Sequence, residues 1–326
     1  MPHKVKQHIL KTLRSSEGAW VSSESLRQPF DISRAAISKQ VRGLREKGYR
    51  IESSPRKGYR LFGRADVLAP ESLYLHLEGT RFAKGTIKVS EVTQSTNDDA
   101  KQMAAEGCAE GSLVLADIQV AGRGRRGRVW FGNQGDSLLF SMVLRPPLDP
   151  MRCGLLPLLV AVAVREALNE LGIEGVGIKW PNDLLIDGRK IGGILCEIST
   201  DFDRVEYAVV GVGLNVNNDS DTFPEELRRT ACSLKMATGK PWSRLEVLSE
   251  ILKSMDRLLR QAWSGNFKNI LEYWRGATLT SGNRVTTTLP NGQKIQGTAL
   301  DIDDSGALLL KDDDGKVHML TSGELN

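Results

Sequence analysis

Residues 122–130 read Gly-Arg-Gly-Arg-Arg-Gly-Arg-Val-Trp and follow a strand-like stretch, Ser112 to Gln119. Gly122, Gly124 and Gly127 match the G-x-G-x-x-G spacing of a dinucleotide-binding turn, whose glycines must open a helix packed on a parallel sheet. Here the chain continues Phe-Gly-Asn-Gln-Gly (131–135), rich in turn formers and without an apolar helical period. The dinucleotide fold fails that test, and no Walker A motif replaces it. What remains is a glycine-rich loop carrying Arg123, Arg125, Arg126 and Arg128. Glycine lets backbone approach a ligand closely, and guanidinium forks match phosphate and carboxylate oxygens. Such a loop suits a bound acyl-phosphate or nucleotide; taken alone, it reads equally well as an exposed basic loop.

Outward from the loop, strand and helix patterns mix. Strand-like runs cover Ile87 to Val92, Ser112 to Gln119, Ser137 to Leu144, Val176 to Trp180, Asp183 to Ile186, Lys190 to Ile198 and Val205 to Asn217. Helical periods fit Asp98 to Glu106, Leu156 to Leu171, Arg244 to Trp263 and Phe267 to Trp274. Consecutive strands joined by turns as short as Asp187-Gly188 require antiparallel pairs, so residues 65–277 are expected to form an α+β domain with a mixed sheet. From about Thr278 four short strands follow, Arg284 to Leu289, Lys294 to Ile302, Ala307 to Lys311 and Lys316 to Leu320, punctuated by Pro-Asn-Gly, Asp-Asp-Ser-Gly and Asp-Asp-Asp-Gly. Residues 278–326 therefore read as a small SH3-like β-barrel.

Residues 1–64 differ in kind. They hold 15 Lys and Arg against 5 Asp and Glu, a surplus of ten charges; with +4 on the whole chain, the other 262 residues carry −6. A helical pattern spans Lys4 to Leu13, a second short helix follows Ser22-Ser23, and a third starts at the N-cap Ser33. In the third, Ile37, Val41 and Leu44 recur on one face while Arg34, Ser38, Lys39, Arg42 and Arg45 take the other. Tyr49 to Phe62 then reads as a hairpin with Arg56 and Lys57 at its tip. Three helices and a basic hairpin describe a winged helix-turn-helix that binds DNA through Ser33, Arg34, Ser38, Lys39, Arg42, Arg56 and Lys57. The surplus exceeds what solubility requires of about sixty residues.

Composition narrows the chemistry. The 326 residues, 40% of them apolar, suffice for two or three cores. The longest apolar run, Leu155 to Val164, contains Pro157 and is too short for a bilayer, and no apolar segment follows the basic N-terminus as in a signal peptide, so a cytoplasmic protein without membrane partners is expected. Cys108, Cys153, Cys196 and Cys232 are scattered, as are the four histidines, which disfavours disulfides, zinc sites and a Ser-His-Asp triad.

Three further segments complete the pattern: Ser95-Thr-Asn97 at a strand-to-helix junction, Lys179-Trp-Pro-Asn-Asp183, and Gly192-Gly-Ile-Leu-Cys-Glu197 leading to Gly211-Val-Gly-Leu-Asn215. With Gln119 and the arginine loop, in this order, the chain closely resembles the biotin protein ligases. Its N-terminal Ser33-Arg-Ala-Ala-Ile-Ser-Lys39 segment resembles the bifunctional members, which also repress biotin synthesis genes.

The resemblance implies an ATP- and Mg²⁺-dependent formation of biotinyl-AMP and transfer of biotin to a lysine of the biotin carboxyl carrier protein. It implies a homodimer on operator DNA when the adenylate is bound. Lys179 would stabilise the meeting of two anions, carboxylate and α-phosphate, with Arg125 as its catalytic companion. Arg123, Gly124 and Arg125 would hold the adenylate, and Ser95, Thr96, Asn97 and Gln119 would contact the biotin head group. Trp130 would pack on the ordered loop, Gly193 would admit the ligand to the backbone, and Asn215 would lie near metal or phosphate. Gly192 and Gly211 are expected to serve packing. The competing readings are a lipoate ligase, a repressor with an inactive ligase domain, and a ligase whose N-terminal module no longer binds DNA.

Overall fold

The computed structural model describes residues 2–62, 66–132, 134–201, 203–288 and 292–325. It divides into two compact units, Met1–Gly79 with Ser243–Ser249, and Thr80–Trp242 with Glu250–Asn326.

The first unit contains α1 (Pro2–Ser15), α2 (Ser23–Arg27), α3 (Arg34–Glu46), the hairpin strands β1 (Ile51–Ser54) and β2 (Gly58–Leu61), and α4 (Pro70–His76). Ser22 and Ser33 cap α2 and α3, each hydroxyl accepting from the backbone N–H three residues on. The apolar stripe Ile37, Val41 and Leu44 is buried against Ile9, Leu10, Leu13 and Leu26. Helix α4 was not foreseen. Its Glu71, itself buried, accepts from Lys47 (2.7 Å), and its Ser72 bonds the Tyr49 hydroxyl, so the unit extends past the boundary expected at 64; that boundary lies outside the described residues.

In the second unit the chain runs β3 (Ile87–Thr93), α5 (Thr96–Ala105), β4 (Leu113–Gln119), β5 (Ser137–Leu144), α6 (Leu155–Glu170), β6 (Gly177–Lys179), β7 (Asp183–Ile186), β8 (Arg189–Asp201) and β9 (Arg204–Asn215). It continues through α7 (Leu234–Thr238), α8 (Arg244–Trp263), whose residues up to Ser249 are counted with the first unit, and α9 (Lys268–Ala277) to β10 (Arg284–Thr288), β11 (Lys294–Ile302), β12 (Leu308–Asp312) and β13 (Val317–Leu320). The first seven strands form one sheet in the order β3-β4-β5-β9-β8-β7-β6. Among the described residues β3 and β4, joined across helix α5, are the parallel pair; short turns join β6, β7, β8 and β9 as antiparallel neighbours, β4 reaches its antiparallel partner β5 through the arginine loop, and β5 pairs with β9. Strand β5 is buried throughout, and α6, the most apolar helical stretch, is core rather than a membrane element. No helix among the described residues is long and apolar enough to cross a membrane.

The last four strands make an antiparallel sheet in the order β10-β11-β12-β13. Among the described residues no ladder joins β13 back to β10; the Pro290-Asn291 part of the expected first turn is outside them. Trp180 fixes this sheet to the larger one: its indole donates to the Gly306 carbonyl (3.1 Å) and its backbone N–H to Thr280 (2.9 Å), with the ring fully buried.

Candidate active site

A cavity of about 510 Å³ opens on the large sheet, within the range of small-molecule sites. All eleven residues expected at the ligand site line it: Ser95, Thr96, Asn97, Gln119, Arg123, Gly124, Arg125, Trp130, Lys179, Gly193 and Asn215. So do six cationic side chains, with Arg126, Arg128 and Lys190 joining Arg123, Arg125 and Lys179, against two carboxylates, Asp183 and Glu324. The cavity is built for an anion.

Its polar end is the start of α5. Ser95 occupies the N-cap position, but its hydroxyl makes no capping bond; the first helical N–H, that of Thr96, is taken by the Gln119 side chain instead. The Thr96 N–H and hydroxyl both donate to Gln119 Oε1 (2.7 and 3.0 Å), which leaves the Gln119 amide N–H groups for a ligand. The Ser141 hydroxyl lies 2.7 Å from Thr96 Oγ1 and 2.6 Å from Asn97 Oδ1, and Asn97 Nδ2 donates to Glu197 (2.7 Å). These bonds fix rotamers that a free side chain would have to order at an entropic cost. A Cβ at Gly211 would overlap Asn97 Oδ1 and one at Gly192 would sit 3.1 Å from the Gly213 carbonyl, so both glycines serve close packing.

The arginine loop is a folded turn. Trp130 N–H donates to the Gly122 carbonyl (2.9 Å) and Gly124 N–H to Arg128 (2.6 Å); Arg126 and Gly127 reverse the chain at φ 55° and 74°. Arg123 forks onto Asp98 (2.6 Å for one arm), and that contact holds the Asp98 carboxyl below the usual range. Arg128 pairs with Glu324 near the chain end. Arg125 is half-buried and its guanidinium bonds none of the described residues; burial first, and neighbouring Arg126 second, weaken its hold on the proton, while Asp183 opposes both.

Lys179 ends β6, where it pairs with Asp183 of β7; it is half-buried, and its ammonium bonds no described residue. Its position is fixed by the turn after it, where Asn182 and Ile194 exchange bonds (2.8 and 3.0 Å) between the turn and β8. A bulge then matters: Leu184 faces Gly192 but Leu185 faces Lys190, so Ile191 is the extra residue. Without it Lys190 would point away from the Gly193 side of the sheet. With it, Lys190 reaches Asp183 (2.6 Å) and lies 5.7 Å from the Trp130 ring centroid. The Trp130 indole covers Gly193 and Gly213, where a Cβ at Gly213 would collide with it, and its buried Nε1 has no partner. Asn215 donates to the Cys232 carbonyl (3.0 Å) and leaves Oδ1 buried and unpaired.

Lys190, Gly213, Asp183, Asp98 and Glu324 were not singled out from sequence. The alternation in Gly211-Val-Gly213 carries a signal for Gly213; nothing local marks a bulge or a partner 25 or more residues away.

In the first unit Arg34, Ser38, Lys39 and Arg42 project from α3 and Arg56 and Lys57 from the hairpin tip, all exposed, while Ser33 caps α3. No ion pair with a described residue engages Arg34, Lys39, Arg42 or Arg56, whereas Arg27 and Arg60 are tied to Glu24 and Glu52.

Comparison with known proteins identifies the family. Residues 89–215 match the model of the biotin/lipoate A/B protein ligase family, residues 5–60 an HTH domain, and residues 280–325 the biotin protein ligase C terminal domain. The chain is 34% identical to the bifunctional ligase/repressor BirA of Bacillus spizizenii over 97% of its length and 96% of that protein. It is 29% identical to the bifunctional ligase/repressor BirA of Escherichia coli over 95% and 94%. A biotin protein ligase from Aquifex aeolicus in complex with biotin and ATP superposes with a TM-score of 0.63 at 30% identity, covering 74% of this chain and 97% of that one. The chain belongs to the biotin protein ligases, among the bifunctional ligase/repressors.

Proposed function

We propose that the protein condenses biotin with ATP to biotinyl-AMP with release of pyrophosphate, transfers biotin to a lysine of the biotin carboxyl carrier protein, and represses biotin synthesis genes from operator DNA. The observation that carries the enzymatic half is the convergence of two uncommitted cations, Lys179 and Arg125, with the fixed amide of Gln119 in one anion-favouring cavity. Attack of a carboxylate on an α-phosphate brings two anions together, and fixed cations oppose that repulsion without reorganising as charge moves. Lys179 lies between the two reactants; Arg125 holds the mixed anhydride until the acceptor amine attacks the acyl carbon and AMP leaves. Ser95, Thr96, Asn97 and Gln119 take the ureido head group, and no enzyme nucleophile is needed.

Mg²⁺ would accompany ATP and supply neutralisation of phosphate charge. The donor set fits such a nucleotide-borne metal: Asn215 Oδ1 is an unpaired buried oxygen, while no cluster of three acidic, histidine or cysteine side chains among the described residues forms a protein cage. The C-terminal strands, read as an SH3-like fold, bring Glu324 to the cavity rim and help dock ATP or the acceptor.

The first unit is read as a winged helix, α3 entering the major groove and the Arg56-Lys57 tip touching backbone. A two-fold dimer formed when the adenylate is bound would present two such helices to a palindromic operator. Incubation with biotin, ATP, Mg²⁺ and a carrier domain should raise the carrier mass by one biotinyl group; an unmodified carrier contradicts the proposal.

A further inference from the structure

The four arginines of the loop are not equivalent. Arg128 is engaged by Glu324, Arg126 is exposed, and Arg125 keeps its donors free. Arg123 is spent on the protein itself: both arms of its guanidinium bond the Asp98 carboxylate on the first turn of α5, and its Nη2 is 3.6 Å from Glu197 Oε1. Lys101 Nζ lies 2.5 Å from Glu197 Oε1 and 3.9 Å from Asp98 Oδ1, closing a ring of alternating charge. Glu197 is also the acceptor that orients the Asn97 amide (2.7 Å).

Asp98 is not explained by its helix. Carboxylates favour helix N-termini, yet the adjacent Asp99 already supplies one there, bonded to Thr93 (2.9 Å) with Lys88 at 3.4 Å. Asp98 instead turns to the loop, and a bidentate fork is the geometry in which an arginine is both held and oriented.

We propose that Asp98 is a positioning residue for the arginine loop: by seating Arg123 on α5 it makes that arginine the loop's anchor, leaves Arg125 to the adenylate, and joins the anchor through Glu197 to Asn97. The functional consequence rests on the ligase reading of the cavity; the anchor itself does not.

The sign of one substitution separates the anchor from its rival. Were Arg123 to leave Asp98 and grip the phosphate, Asp98 would be a competing anion, and Asp98→Asn would slow adenylate dissociation. As an anchor, its loss speeds dissociation, by roughly two- to five-fold for a half-exposed pair. Asp98→Glu should restore most of the retention. The double variant Asp98→Asn, Arg123→Gln should dissociate no faster than the worse single one, because both remove the same contact. A second readout needs no ligand: trypsin should cut the folded full-length Asp98→Asn protein after Arg125, Arg126 and Arg128 faster than wild type, at equal melting temperature. If wild type forms no adenylate, the ligase reading fails and proteolysis still tests the anchor. Slower dissociation of Asp98→Asn, or unchanged cleavage of the loop, overturns the proposal.

Discussion

Among the residues of the site, Lys179 and Arg125 are distinguished by what they do not touch. Both are half-buried in a cationic cavity and neither side-chain cation bonds a described residue, so each keeps its donors for an anion. Lys179→Ala should therefore lower the rate of pyrophosphate release by at least about 100-fold, the usual cost of one preorganised charge-stabilising donor, with an unchanged melting temperature. Near-normal release by the folded variant would remove Lys179 from the mechanism. Arg125→Gly should release the adenylate roughly ten- to a hundred-fold faster, matching about 1.5 to 3 kcal/mol for a charged hydrogen bond; equal dissociation rates for variant and wild type would contradict the role. These residues were legible because their motifs are contiguous. Asp98, Glu197 and Lys190 were not, because their meaning lies in pairing across α5, β8 and a bulge.

Between elements, the strand and helix patterns of the sequence match the fold wherever one face is buried. Strands β5, β7 and β11 run over the expected residues, and α8 likewise. The alternation that marks a strand ends where burial ends, which is why β8 runs to Asp201 beyond its expected end at Ile198. Helix α4 escaped notice because its seven residues are too few for a periodic signal. It is held by polar contacts, among them Tyr49 with Ser72. Burial pushes the Tyr49 hydroxyl up to about 12 from 10.0, with Glu71 adding to the shift while Ser72 and Arg14 oppose it. A raised folded-state value means stability fully present below pH 10 and lost as pH rises through about 12, a loss of about 3 kcal/mol. Chemical denaturation of the protein across this window should show that alkaline loss in the first unit, and Tyr49→Phe should flatten it; an unchanged pH profile in the variant would place the loss elsewhere.

For the molecule as a whole, charge is segregated by task, with a surplus of ten on residues 1–64 and −6 on the remainder. Arg34, Lys39 and Arg42 are exposed and form no ion pair with a described residue, and the proposed function makes them the source of DNA affinity. Replacing all three by alanine should weaken DNA binding and lower its salt slope by about 1 for each phosphate no longer neutralised, while adenylate formation persists; retained DNA affinity would leave the unit without its proposed role. Coupling of the two activities requires that the adenylate favour the dimer that binds the operator, so sedimentation with and without it should show the dimer fraction rise. Everything in this scheme depends on which acyl adenylate the cavity makes. The protein should be incubated with ATP, Mg²⁺ and equimolar biotin and lipoate, and the bound small molecule identified by mass. Biotinyl-AMP retained by the protein is the predicted result; lipoyl-AMP, or no adenylate at all, would contradict it.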